Sequence, residues 1–272
     1  MLEELLANPA IQAGVAPFLT ALIVAISLTR LRLGGLAAIA AFLVCMHFVT
    51  GIQFTPLTAT RKILILAIAA AAIGPLLDFV LKPTRIGVVL IAAGAAGGVL
   101  WAFWPVILQK PGTQAWLFGG SAAVALAVTV GFAQAQLAGD GVRAAAAALA
   151  LGLGAGIAAI FAASLSYGLY GIALGAGAGG FLLPQMISGK KAAAGATFTV
   201  PAMLIGGLVA VGAMLLAQLP WYCVLILALV PVAVRLPGPE KAPVWLQAVV
   251  FSLYGFVIAG VASALAWPST QT

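Results

Sequence analysis

Long apolar runs alternate along this chain with short polar or charged interruptions, and the runs share a preferred length. A hydrocarbon core about 30 Å thick takes roughly 20 helical residues to cross at about 1.5 Å rise each. Cut on that measure, with charges, proline and glycine as punctuation, the sequence predicts ten membrane-spanning helices. They fall at 9–29, 34–50, 63–81, 86–108, 115–138, 142–163, 167–188, 196–217, 220–236 and 244–267. Residues 144–189 and 192–234 carry no charge at all, and each stretch is too long for one crossing. They divide at Ser164-Leu165-Ser166-Tyr167-Gly168 and at Gln218-Leu219-Pro220, each giving two helices joined by a tight turn. The ten-residue alternation of a membrane β-barrel is absent. The expected fold is therefore all-α, a polytopic helix bundle forming one membrane domain over residues 1–272.

The distribution of positive charge sets an orientation. Odd-numbered loops hold Arg30, Arg32, Lys82, Arg85, Arg143, Lys190, Lys191, Arg235 and Lys241; even-numbered loops hold only Arg61, Lys62 and Lys110. The positive-inside tendency places the odd loops in the cytoplasm and both termini outside. Glu3 and Glu4 before the first span agree, and they are acidic where a secretory signal would be basic, so the first span reads as a retained helix. Ten crossings divide evenly at Gly139-Asp140-Gly141 into halves 1–138 and 142–272. Five spans apiece would make the halves of opposite topology, a plan found among secondary transporters. The sequence echo between them is thin: Ala115-Trp116-Leu117 against Val244-Trp245-Leu246. Two unrelated halves fit equally well.

Composition removes the soluble alternatives. Apolar residues make up 64% of the chain and 32 glycines come on top, whereas charged residues reach 6% against a usual quarter or so. A water-facing exterior cannot be built from that inventory. Net charge is +7, but the basic residues stand singly or in pairs and form no stripe that would track a phosphate backbone, so nucleic acid is excluded as a partner. The expected surroundings are a lipid bilayer, with a small-molecule solute, a membrane-protein partner or a second copy as candidate partners. Richness in Ala and Gly is compatible with a bacterial inner membrane, which would make the termini periplasmic.

Because lipid tails are as apolar as leucine, the helices must associate through close packing of small residues. Gly171, Gly175 and Gly179 recur four apart in the seventh span, and Gly152 and Gly156 share that register in the sixth. The two spans are expected to pack as a tight antiparallel pair. A sharper alternative is that residues 175–180, followed by Pro184, unwind and bare carbonyls to a cavity. Pro75 in the third span and Pro201 in the eighth are further candidate breaks, although a proline within a span is more often a simple kink.

Ionisable residues inside a bilayer are costly and commonly functional, and here they are scarce. Asp78 is the one carboxylate inside a span. It either pairs with Lys82 four residues on at the interface, or provides a cation or proton site beside Gly74-Pro75. His47, the single histidine, lacks the further ligands a metal needs, so no metal site is expected. Cys45 and Cys223, both in apolar segments, indicate no disulfide framework. The neutral polar candidates for a substrate path are Gln134, Tyr170, Gln185, Thr197 and Thr199; each is equally able to hydrogen-bond across helices.

Enzyme chemistry finds no support. HExxH, GxSxG, a Walker A sequence and CxxC are all absent, and Gly152-Leu-Gly154-Ala-Gly156 lies in an apolar helix where no phosphate would go. No catalytic residues and no cofactor are expected. The sequence points to a permease or exporter for a small, neutral or weakly polar solute, not driven by ATP. The alternative is a non-catalytic scaffold, assembly factor or accessory subunit of a membrane complex.

Overall fold

The computed structural model describes residues 8–80 and 84–267. All regular structure among them is helical. Eight helices are long and apolar enough to cross a membrane: α1 (Ile11–Leu31), α3 (Ala59–Phe79), α4 (Arg85–Ile107), α5 (Gly112–Gln136), α6 (Gly141–Phe161), α7 (Leu165–Ser188), α8 (Gly195–Leu216) and α10 (Val244–Ala266). Two shorter apolar helices, α2 (Gly34–Val49) and α9 (Trp221–Val234), complete the series. The protein is a polytopic membrane helix bundle.

The ten segments run alternately between two ends. At the end carrying the odd-numbered loops, Gly141 N–H donates to Ala192 O and Gly195 N–H to Ala138 O, each at 2.9 Å, tying the α5–α6 and α7–α8 connections together. At the other end, Gln218 N–H donates to Ala162 O at 3.3 Å and Tyr170 Oη to Thr50 Oγ1 at 3.2 Å. The short helices α2 and α9 thus return the chain from one end to the other, as the ten-span reading requires.

Helix starts carry the expected chemistry. Thr84 Oγ1 accepts from Gly87 N–H at the head of α4, and Asp140 Oδ1 accepts from Val142 and Arg143 N–H at the head of α6, satisfying donors that the first turn leaves free. α3 begins at Ala59, earlier than the expected 63, and takes Arg61 and Lys62 into its first turn. Their long stems carry the charges off the helix. Arg61 donates to Pro56 O and Gln53 Oε1; Lys62 donates to Trp101 O and lies 5.0 Å from the centre of that ring.

The proposed proline breaks are not where the chain breaks. α3, α7 and α8 continue through Pro75, Pro184 and Pro201. Residues 175–180 stay helical because neighbours close over them: Leu153 covers Gly175, Ala38 and Ala41 cover Gly177, and Ala21 and Leu22 cover Gly180. The interruption lies in α9, where Ala228 and Leu229 separate two helical pieces just ahead of Pro231, a residue suited to a first helical turn and not to an interior.

The glycine pair of α6 and α7 packs backbone to backbone. A methyl on Gly152 would lie 2.6 Å from Gly175 N, and one on Gly156 would lie 2.8 Å from Gly168 O. Gly171 faces Gly156 and Gly152 in turn. Gly179 departs from the expected stripe: its nearest neighbour is Phe18 of α1, at an ordinary 3.7 Å. α8 occupies the centre, with 94% of its most apolar stretch buried, and α2, α3, α5, α6 and α7 pack around it. The same measure is 22% for both α1 and α4.

Candidate functional site

A cavity of about 700 Å³ opens between α3, α4, α5 and α8. Its shape follows from how α3 and α4 meet. Leu66 rests against Gly98, and from there toward the 80–85 connection the two helices diverge, because α4 packs mainly on α5. The outer lip is apolar and exposed, with Ile73 on α3, Val80 just past its end, and Ile86 and Leu90 on α4. Buried Val130, Val200 and Leu204 form the floor. Thr84 stands at the mouth and Gln134 in the wall.

Gln134 is the polar feature of the buried wall, 5% exposed. Thr199 Oγ1 lies 2.5 Å from its Oε1 and 2.8 Å from Gly195 O. That contact engages one end of the amide. The other end has no hydrogen-bond partner among the described residues, and it is not sealed from the cavity. Most buried polar groups are fully paired, and this amide end is open to one further hydrogen-bond partner.

Asp78 is exposed and belongs to a different construction. Its Oδ1 accepts from Ala196 N–H at 2.7 Å, and its Oδ2 accepts from Thr197 N–H at 2.8 Å and Thr197 Oγ1–H at 2.6 Å. α8 has no capping side chain of its own, so a carboxylate from α3 caps it and meets the positive end of its dipole. The approach needs glycine at two positions. A methyl on Gly74 would sit 2.8 Å from Ala196 O, and Gly195, at φ +62°, would drive one into the Asp78 carboxylate. Lys82, the expected ion-pair partner, lies outside the described residues.

Gln185 closes the neighbouring connection. Its Oε1 accepts from Ala192 N–H at 2.9 Å and its Nε2 donates to Phe181 O at 3.1 Å. Tyr170 sits at the opposite end, bonded to Thr50 and edge-on to Phe42. The candidate path residues therefore do not line one route. Asp78 joins Thr197, Gln134 joins Thr199, and Gln185 and Tyr170 stand apart from both pairs. His47 is exposed on α2. Among the described residues no three His, Cys, Asp or Glu side chains gather into a metal site.

Arg143 went unremarked in the sequence beyond its charge. It is 4% exposed and donates to Val234 O at 2.7 Å and Leu236 O at 2.9 Å. Its guanidinium lies 3.9 Å from the centre of the Phe251 ring, with Asp140 and Glu240 carboxylates each 3.6 Å away. It thus ties α6 to the α9–α10 connection. Asp140 three residues ahead of an arginine, at a helix start, was the signal available for it. The cavity had no such signal, because its walls come from four separated segments.

No protein-family model, curated protein or solved structure matches this chain. The fold and the cavity define a multi-pass helical membrane protein with a lateral apolar cleft.

Proposed function

We propose that this protein is a membrane carrier for a small, neutral or weakly polar solute, working without ATP, and that the cleft between α3 and α4 is its solute site. The observation that carries the reading is the cleft itself: about 700 Å³, apolar-walled, with the free Gln134 amide end in its wall. Small-molecule sites are typically cavities of about 300–1,000 Å³ with a few placed polar groups. The charge asymmetry favours the basic odd-numbered loops in the cytoplasm and the termini on the other side, which in a bacterial inner membrane is the periplasm.

The non-catalytic scaffold is the second reading. It is favoured by the backbone contact of α6 with α7 and by the use of Asp78, Thr197 and Gln185 as structural ties. A shallow apolar groove of about 290 Å³ along α7 and α10, which includes Met186 and Phe256, would be a seat for a partner helix.

Filling the cleft separates the two. A methyl on Gly94 meets nothing within 4 Å, so Gly94→Phe occupies the cleft with little strain. The expected outcome is normal abundance and thermal stability, with a changed inside-to-outside distribution of whichever solute depends on the wild-type protein in whole-cell metabolite profiling. If no solute distribution depends on the protein, or if Gly94→Phe leaves that distribution intact, the carrier reading is rejected.

A further inference from the structure

The cleft is placed at a particular depth, and the depth says more about the ligand than the volume does. Gln134 lies two residues from the end of α5, and Thr199 four residues into α8. At about 1.5 Å per residue, the amide is therefore only about 3–6 Å inside the end of the bundle that carries the basic odd-numbered loops. The apolar part of the cleft runs on from there. Leu204 is nine residues into α8 and Leu66 thirteen residues back from the end of α3, which puts the closed end about 14–20 Å deep, near the middle of a hydrocarbon core about 30 Å thick. The cleft is thus one leaflet deep, polar near the interface and apolar below it.

Access matches that profile. Ile73, Val80, Ile86 and Leu90 line the cleft and are also exposed on the outer surface of the bundle, Ile86 and Val80 to 73% and 70%. A molecule dissolved in the bilayer can enter sideways between α3 and α4 without crossing a layer of protein. Among the described residues no charged side chain lines the cleft.

The amide also selects a functional group. The Thr199 hydroxyl has one proton and two oxygens within reach, so Gln134 meets it through either its carbonyl or its amino end. Its free end is correspondingly a donor or an acceptor. A hydroxyl satisfies both cases.

We infer that the cleft binds a lipid-soluble alcohol, an apolar body bearing a hydroxyl, taken laterally from the leaflet on the side of the basic loops, with the hydroxyl on the Gln134 amide and the body between α3 and α4. This rests on the carrier reading only for its consequence, movement of that molecule; the binding stands by itself.

The test uses the full-length protein in lipid nanodiscs and a hexadecanol carrying a mid-chain diazirine. After irradiation, peptide mass spectrometry is expected to find label on cleft residues between 66 and 95. Unlabelled hexadecanol competes for it, and hexadecane, equal in chain length but without the hydroxyl, competes at least about tenfold less well. Gln134→Leu is expected to remove that preference, and Gly94→Phe to remove the label. Should Gln134→Leu fail to fold, the alcohol-to-alkane ratio on the wild-type protein decides. Equal competition by alcohol and alkane, or label spread evenly over the lipid-facing helices, would overturn the inference and leave a crevice filled by ordinary acyl chains. Failures are separable: selective labelling with no solute distribution dependent on Gly94 sinks the carrier and keeps the site. A dependent distribution with no alcohol preference keeps the carrier and sinks the site's chemistry.

Discussion

α4 and α8 have the same mean hydropathy, yet 94% of the most apolar stretch of α8 is buried in protein and 22% of that of α4. Both are rich in glycine. On α8 the glycines are filled by neighbours, Gly206 by Leu151 and Leu174 and Gly207 by Leu126, whereas Gly94 and Gly97 of α4 meet nothing within 4 Å. Hydropathy therefore selects for lipid and is indifferent to position among helices. In a medium where leucine gains nothing by leaving the lipid, complementary shape decides which helix goes to the centre. The peripheral helix is the one left free to form a wall of the cleft.

The largest test of that contrast is a matched pair of substitutions. Gly206→Leu, forced against Leu151 and Leu174, is expected to cost about 3 kcal/mol and to deplete folded protein, measured by thermal unfolding in detergent. Gly97→Leu on α4 should stay within about 0.5 kcal/mol of wild type. Similar losses from both would refute the account of α8. Next in size is Asp78→Ala, which strips the cap from α8. It should cost about 1–2 kcal/mol and speed hydrogen exchange at the Ala196 and Thr197 amides; unchanged exchange there would show that the carboxylate does not hold the helix end. Thr199→Val is the smallest, about 0.6 kcal/mol, the average for an interhelical hydrogen bond in a membrane. A loss comparable to that of Gly206→Leu would mean that polar bonds, and not shape, keep α8 central.

Much of the fold was legible residue by residue. The uncharged stretches 144–189 and 192–234 divided where expected, at Ser164 and Pro220, and Gly152, Gly156, Gly171 and Gly175 marked the α6–α7 contact. Charges misled locally. Arg61 and Lys62 were read as a loop, although a long stem lets a cation start a membrane helix and still reach outside it. Pro75, Pro184 and Pro201 stay within continuous helices, as expected of a simple kink and not of a break.

At the candidate site, residue types were legible and their groupings were not. Thr197 and Thr199 sit two positions apart on α8, so they point to different neighbours: one receives Asp78 from α3, the other Gln134 from α5. Nothing in a one-dimensional pattern pairs residues 78 with 197 or 134 with 199.

The sequence by itself determined the all-helical class, the apolar surroundings and where the helical segments divide, because these depend on local apolarity, segment length and charge, quantities carried by each stretch alone. Only the tertiary structure decided which helix is central, which polar groups are tied up and where a cleft remains. Those outcomes come from the mutual fit of surfaces distant in the chain, and the same glycine is a contact on one helix and open space on another.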